Sequence, residues 1–419
     1  MSTQHLSTSR FRDFDLPSDL LQGIDEAGFS FCTPIQAQTL PLALVGRDVA
    51  GQAQTGTGKT AAFLVATLNW LMRHPASNTR RSNQIRALIL APTRELAIQI
   101  HRDAEQLASH TGLRLGLAYG GTGYEQQRQQ LSDGVDILIG TPGRIIDYFK
   151  QRVFDMRALQ VMVLDEADRM FDLGFIKDIR YLLGRMPPPS QRLGMLFSAT
   201  LSHRVNELAY EHMNNPQAIT VEAEQLTADK VEQAVFYPAM EEKIPLLIGL
   251  LRQEQPTRAI VFINTKRAGD KVQAWLEGNG FRCGVLSGDV PQRKRQHLLA
   301  EFEQGRFAIM VATDVAARGL HIPDVSHVFN YDLPQDAQDY VHRIGRTARA
   351  GASGKAFSFA CEEYAFSLGE IEDYIEQKIP MQAIDAKLLE ALQPPTKIAR
   401  KPAGKRPPRR RDGGKRRGS

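Results

Sequence analysis

The chain has 419 residues, 42% of them hydrophobic, which is enough apolar material for two cores of ordinary size. Its net charge of +5 is uneven: residues 397–419 hold eleven Lys/Arg against one Asp, leaving a net −5 on the preceding 396 residues, so bulk charge on the folded body is excluded as a polyanion site. Cys32, Cys283 and Cys361 lie far apart with no CxxC spacing, and no apolar run nears the roughly eighteen residues that span a bilayer; a disulfide framework, a zinc site and a membrane anchor are not indicated, and a cytoplasmic location is expected.

In chain order, an amphipathic helix pattern from Ser18 to Gly28 leads to GFSFCTPIQ (28–36), where Thr33-Pro34 marks a new helix start. The stretch from Asp48 to Leu71, with glycines at 51, 56 and 58 and then Lys59-Thr60, predicts strand, loop and helix. Gly56 and Gly58 allow the loop Ala53-Gln54-Thr55-Gly56-Thr57-Gly58 to turn its N–H groups inward, and the helix N-terminus adds positive potential at the same spot. Lys59 is then placed to neutralise β/γ-phosphate charge and Thr60 to meet Mg²⁺. Ala53 stands where the strict pattern has Gly; even so, the loop taken alone favours a nucleotide site over a Gly-rich turn, the bland alternative.

Apolar runs with polar or small residues at their carboxyl ends follow at 87–92, 135–142, 161–168 and 193–200, with helix-like segments between them. Such a pattern predicts a parallel sheet covered on both faces, with ligands at the carboxyl edge. Asp165-Glu166-Ala167-Asp168 closes the run VMVL. One carboxylate suits a metal and its neighbour an attacking water, whereas an isolated acidic pair is more often a helix cap.

A polar stretch at 222–230 interrupts the pattern, and a second series of runs comes at 259–265, 283–289, 308–314, 325–334 and 355–360. Arg343, Arg346 and Arg349 recur at intervals of three, which on a helix turns them one way toward clustered anionic oxygens. Arginines so spaced are otherwise simply solvated. Beyond the helical segment 370–378 the chain becomes Pro-, Gly- and Arg-rich, and from about Gln393 it lacks the apolar surface to fold. The domains expected are residues 1–38 as an N-terminal part of the first domain, 39–221 as that domain, 222–230 as a linker, 231–392 as a second domain and 393–419 as a disordered basic tail attractive to phosphates.

From about Phe11 to Lys378 the chain resembles a DEAD-box ATP-dependent RNA helicase. The resemblance is carried by Phe11 with GFSFCTPIQ, AQTGTGKT (53–60), PTRELA (92–97), Gly120-Gly121, TPGR (141–144), DEAD (165–168), SAT (198–200), VFINT (261–265), Gln292 with Arg295, ATDVAARG (312–319) and HRIGRTAR (342–349). Residues 168–180 and 319–334 are similar to one bacterial branch in particular.

The resemblance implies an α/β architecture of two tandem RecA-like P-loop domains, with ATP, Mg²⁺ and RNA between them. It implies that Gln36 reads adenine beside Phe11 and Phe29, that residues 53–60 hold ATP, and that Thr60 and Asp165 hold the metal. Lys59, Asp165, Glu166, Arg346 and Arg349 would be catalytic. Asp168, Ser198, Thr200, Asp314, Arg318, His342 and Arg343 would couple the halves. Arg94, Gly121, Thr141, Arg144, Thr265, Gln292, Arg295 and Thr313 would hold the RNA backbone, without regard to sequence. Ala348 and His321 depart from the common pattern, which usually has Gly and Asp there.

The expected function is RNA-dependent ATP hydrolysis with local unwinding of short duplexes, in bacterial mRNA decay beside endoribonuclease E. An ATP-gated RNA clamp uses the same residues, and a DNA helicase shares the phosphate loop.

Overall fold

The computed structural model describes residues 6–53, 56–121, 123–221, 231–317, 325–347 and 354–396. Gln54, Thr55, Arg318, His321, Ala348 and Arg349, the stretch 222–230 and the tail 397–419 lie outside the described residues.

Two parallel sheets carry the chain. The first comprises β1 (Val49–Gln52), β2 (Ala87–Leu90), β3 (Leu115–Ala118), β4 (Ile137–Gly140), β5 (Val161–Leu164), β6 (Leu193–Ser198) and β7 (Gln217–Thr220), in the order β3-β4-β2-β5-β6-β1-β7. The second comprises β8 (Val231–Phe236), β9 (Ala259–Ile263), β10 (Cys283–Leu286), β11 (Ile309–Thr313), β12 (His327–Asn330) and β13 (Gly354–Phe359), in the order β10-β11-β9-β12-β13-β8.

Strand periodicity explains why each sheet has a core on both faces. Ile89, Ile139 and Val163 pack on one face of the first sheet, while their neighbours Leu88, Leu138 and Met162 pack on the other. In the second sheet Val261 and Val311 face one way, and Ile260 and Met310 the other. Both carboxyl edges are thereby left to loops.

Three strands, β3, β7 and β8, were not anticipated from the apolar runs, and all three are sheet edges. β7, Gln-Ala-Ile-Thr, buries one residue of four and presents no apolar run, whereas β3, Leu-Gly-Leu-Ala, and β8, Val-Glu-Gln-Ala-Val-Phe, carry apolar residues and were missed.

The N-terminal segment belongs to the first sheet's unit. Phe11 is buried and stacks on Phe29 at 6.1 Å between ring centroids, and Ser7 and Ser9 exchange backbone bonds with Cys32. At the other end the ordered chain runs past the boundary expected at Leu392. Gln393 and Asn279 exchange two hydrogen bonds, and the Thr396 N–H donates to the Ala274 carbonyl at 2.9 Å. Apolar content misses such a segment because it is held mainly by polar and backbone groups.

Candidate active site and RNA-facing surface

The phosphate loop leaves β1 at Gln52, and its first residue is tied to the sheet by a 3.0 Å bond from the Ala53 N–H to the Ser198 carbonyl. Gly56 and Gly58 both have left-handed backbones, with φ of +88° and +92°. A Cβ on Gly58 would also come within 2.5 Å of the Gln36 side-chain nitrogen. Lys59 opens the helix Lys59–Arg73; it is buried, and its Nζ donates to the Ala53 carbonyl at 2.5 Å. Thr60 is the next residue of that helix.

Gln36 lies in the helix Pro34–Ala43. Its Oε1 accepts from the Thr33 N–H at 2.8 Å and its Nε2 donates to the Gly58 carbonyl at 3.0 Å. A primary amide has two hydrogens and two lone pairs, so one of each is left for a purine edge.

Asp165 follows the end of β5 and is only 2% exposed. Burial pushes its carboxyl up to about 7; Lys59 opposes this, while Glu166 and Asp168 reinforce it. Glu166 has a left-handed backbone with φ +51°, and its side chain lies 3.7 Å from the Arg169 guanidinium. Its Oε2 is buried with no hydrogen-bond partner among the described residues. That oxygen, the one nearest Arg169, keeps lone pairs that no hydrogen bond among the described residues occupies.

Asp168 gathers the SAT loop: its Oδ2 accepts from the Ala199 and Thr200 N–H groups, both at 3.1 Å, while its own N–H donates to the Ser198 Oγ at 3.2 Å. These three predicted coupling residues form one hydrogen-bonded unit.

On the second sheet, Arg343 is fully buried and makes two bonds of 2.6 Å to Asp314. His342 faces Asp339 at 3.8 Å. Lys59, Glu166, Asp168 and Ala199 from the first half, with His342 and Arg346 from the second, line a single cavity of ≈ 170 Å³. Arg169, Asp172, Asp336, Gln338 and Asp339 also line it and were missed in the sequence. Asp172 and Asp339 lie close to motifs, but adjacency alone does not tell which side chains turn inward.

The residues expected to meet RNA fall into two groups. Arg94 packs against Gly121, where a Cβ would stand 2.5 Å from the guanidinium. Arg144 lies 4.8 Å from the Tyr124 ring centroid and donates to Gln127 and Tyr148. Thr141 is buried, Thr313 ends β11, and the exposed Thr265 caps the helix Lys266–Gly278.

The second group joins the halves. Gln292 accepts from Arg94 at 3.3 Å and donates to Glu95 at 2.9 Å, and Arg295 pairs with Glu95 at 3.0 Å. Glu95 was missed, although it sits within PTRELA. Its partners lie about two hundred residues away, beyond the reach of any local pattern.

A phosphate loop on one parallel sheet, facing an arginine-bearing helix on another across a shared cavity, defines a two-domain nucleoside-triphosphatase of the RecA-like kind. Comparison with known proteins agrees. The DEAD/DEAH box helicase family matches residues 33–208, and the helicase conserved C-terminal domain matches residues 242–351. ATP-dependent RNA helicase RhlB of Shewanella halifaxensis is 59% identical over 404 residues, 96% of this chain and 93% of that protein. The Aeromonas salmonicida protein of the same name is 58% identical over 401 residues, 96% of this chain and 94% of its own. Among solved structures, S. cerevisiae Dbp5 bound to RNA and ADP BeF3 superposes with a TM-score of 0.78 at 28% identity, covering 91% of this chain and 100% of that one. Mss116p bound to ssRNA and AMP-PNP gives 0.76 at 28% identity, covering 90% and 78%. The chain belongs to the DEAD-box family of ATP-dependent RNA helicases.

Proposed function

We propose that this helicase hydrolyses ATP only when RNA bridges its two halves, and that it separates short duplexes locally instead of travelling along them. The observation that carries this is the composition of the cleft: Lys59 and Glu166 stand on one sheet and Arg346 on the other, so the site is complete only when the halves meet. The bridge from Arg94 and Glu95 to Gln292 and Arg295 lies among residues proposed to hold the RNA backbone, which ties closure to the RNA side.

In this reading Gln36, flanked by Phe11 and Phe29, reads the adenine edge. Residues 53–60 hold the triphosphate, with Lys59 swinging from the Ala53 carbonyl to the phosphate oxygens. Thr60 and Asp165 would hold Mg²⁺, which when bound supplies neutralising charge on the phosphates. The fit rests on Asp165 itself, a fully buried carboxyl raised by burial that a cation would return to its ionised form. Glu166 orients and deprotonates the attacking water. Arg346, with Arg349 from the sequence, stabilises charge building on the γ-phosphate. Asp168, Ser198 and Thr200 on one side, and Asp314, Arg318, His342 and Arg343 on the other, carry closure between the two ligands. Arg94, Gly121, Thr141, Arg144, Thr265, Gln292, Arg295 and Thr313 hold one strand by its backbone.

Kinship with proteins named ATP-dependent RNA helicase RhlB supports the helicase activity; a place in cytoplasmic bacterial mRNA decay, docked on endoribonuclease E, is our further proposal from the resemblance to a bacterial branch. No described helix is long and apolar enough to cross a membrane.

The decisive experiment is ATP turnover with and without single-stranded RNA, followed by duplex release under ATP. Strong RNA stimulation with duplex release is expected. Stimulation without release would leave an ATP-gated clamp, and equal stimulation by single-stranded DNA would point to a DNA helicase.

Removing the base reader gives a separate test. Gln36→Ala is expected to lower discrimination between ATP and GTP roughly tenfold, the worth of one bidentate contact to a base edge. GTP competing no better in the variant than in the parent chain would remove Gln36 from that role.

A further inference from the structure

A buried polar cluster in the second half joins Arg343 and Asp314, already proposed to carry closure, to Asn264, Asp332 and Lys243, which have been given no role. It gathers the carboxyl ends of β9, β11 and β12 around Asn264, the residue before Thr265. The Asn264 N–H donates to Asp332 Oδ2 at 2.9 Å and its Nδ2 donates to the Leu333 carbonyl at 2.8 Å. Its Oδ1 accepts from the Arg343 Nη2 at 2.9 Å.

The two groups that Asn264 joins are each held rigidly. Arg343 has all five N–H bonds engaged, by Asp314 twice, Asn264, Asn330 and the Asp332 carbonyl. Its guanidinium also lies 5.0 Å from the Phe262 ring centroid. Asp332 is anchored by Lys243, whose Nζ lies 2.6 Å away with both side chains almost wholly buried. The Lys243 ammonium sits 4.3 Å from the centre of the Tyr331 ring and 5.0 Å from that of Tyr364. A buried cation so enclosed, by a carboxylate and two aromatic faces, has one stable position.

Asn264 therefore connects two parts of the machine by a single side chain. One covalent step away is Thr265, proposed to grip RNA. One hydrogen bond away is Arg343, in the helix Ala337–Ile344, whose end leads directly to Arg346 at the nucleotide cleft. A shift of the strand end under load from RNA must move the amide, and the amide cannot move without displacing a fully engaged guanidinium. We propose that Asn264 is a positioning residue that transmits RNA engagement at Thr265 to the placement of Arg346, with Lys243–Asp332 as its fixed base. This rests on the RNA-dependent ATPase reading above.

The test measures coupling between the two ligands, a quantity that loss of fold stability alone does not change. A fluorescent single-stranded RNA is titrated against the full chain with and without ADP and beryllium fluoride, and the ratio of affinities is the coupling. Asn264→Ala is expected to reduce that ratio at least tenfold while changing nucleotide-free RNA affinity by less than about twofold. Asn264→Asp keeps the acceptor for Arg343 but loses the donor to the Leu333 carbonyl, so it is expected to lower the ratio less than the alanine variant does, by under about tenfold. If the alanine variant fails to fold, the aspartate variant decides alone, and a loss of more than about tenfold there would overturn the acceptor role. A parent ratio well above one that Asn264→Ala leaves intact would overturn this proposal alone. A parent ratio near one would overturn the RNA-dependent reading and this proposal with it.

Discussion

Glu166→Gln is expected to lower RNA-stimulated ATP turnover by about 10²–10⁴-fold, the usual worth of a positioned general base, while ATP and RNA bind within about twofold of the parent chain. The substitution keeps the length of the side chain and a hydrogen-bonding carbonyl, so the site retains its shape. It removes the charged oxygen that accepts a proton, and the buried Glu166 Oε2 has no hydrogen-bond partner among the described residues. The neighbouring Asp165 cannot substitute. It lies deep at the strand end, almost wholly buried, where the proposed metal would engage it. Steady-state turnover and equilibrium RNA binding, measured on the same preparation, separate the two effects. Turnover within a few-fold of the parent would remove Glu166 from the base role.

Arg346→Ala should cost on the order of a thousandfold in RNA-stimulated turnover, the scale seen when an arginine finger is removed. The residue is 6% exposed and lines the cavity opposite Lys59 and Glu166. Its charge is therefore held where water screens little, and it acts only when the halves meet. Arg346→Lys should recover little, because an ammonium does not reproduce the two-pronged guanidinium. RNA affinity without nucleotide should stay within about twofold, since the phosphate-facing role needs nucleotide present. A variant still stimulated by RNA to the parent level would contradict an active site shared between halves. Arg349, the second finger implied by the motif, lies outside the described residues, and the same substitution there is the natural companion measurement.

The interior of both sheets was legible in the sequence because parallel strands buried on two faces must be apolar throughout. VMVL before Asp165 and AIVFI before Asn264 are instances, fully buried in the fold. Edge strands were legible only in part: β10 could be read from its apolar run, whereas β7 buries one residue of four and reads as a loop. The phosphate loop and the DEAD sequence could be read because their patterns are local: the residues that define each are consecutive in the chain. Glu95 and Lys243 could not. Their partners, Arg295 and Asp332, lie far along the chain, and only the folded topology brings them into contact. Gln36 falls between these cases. The resemblance implied a base reader there, but its bond to the Gly58 carbonyl, which links the proposed reader to the phosphate loop, is a contact across 22 positions.

The left-handed backbone at Glu166 has a consequence for how this chain tolerates change. A side-chain-bearing residue in that region costs about 1–3 kcal/mol, and glycine adopts it freely. Under the base role proposed for Glu166, stability and catalysis pull in opposite directions here, because the residue that relaxes the turn is the one that has no carboxylate. Any selection for thermal robustness alone, in the laboratory or in a lineage that has lost the need for turnover, would favour erosion here first. Such a descendant would keep both sheets, the phosphate loop and the Glu95 bridge, and would grip RNA without being able to let go.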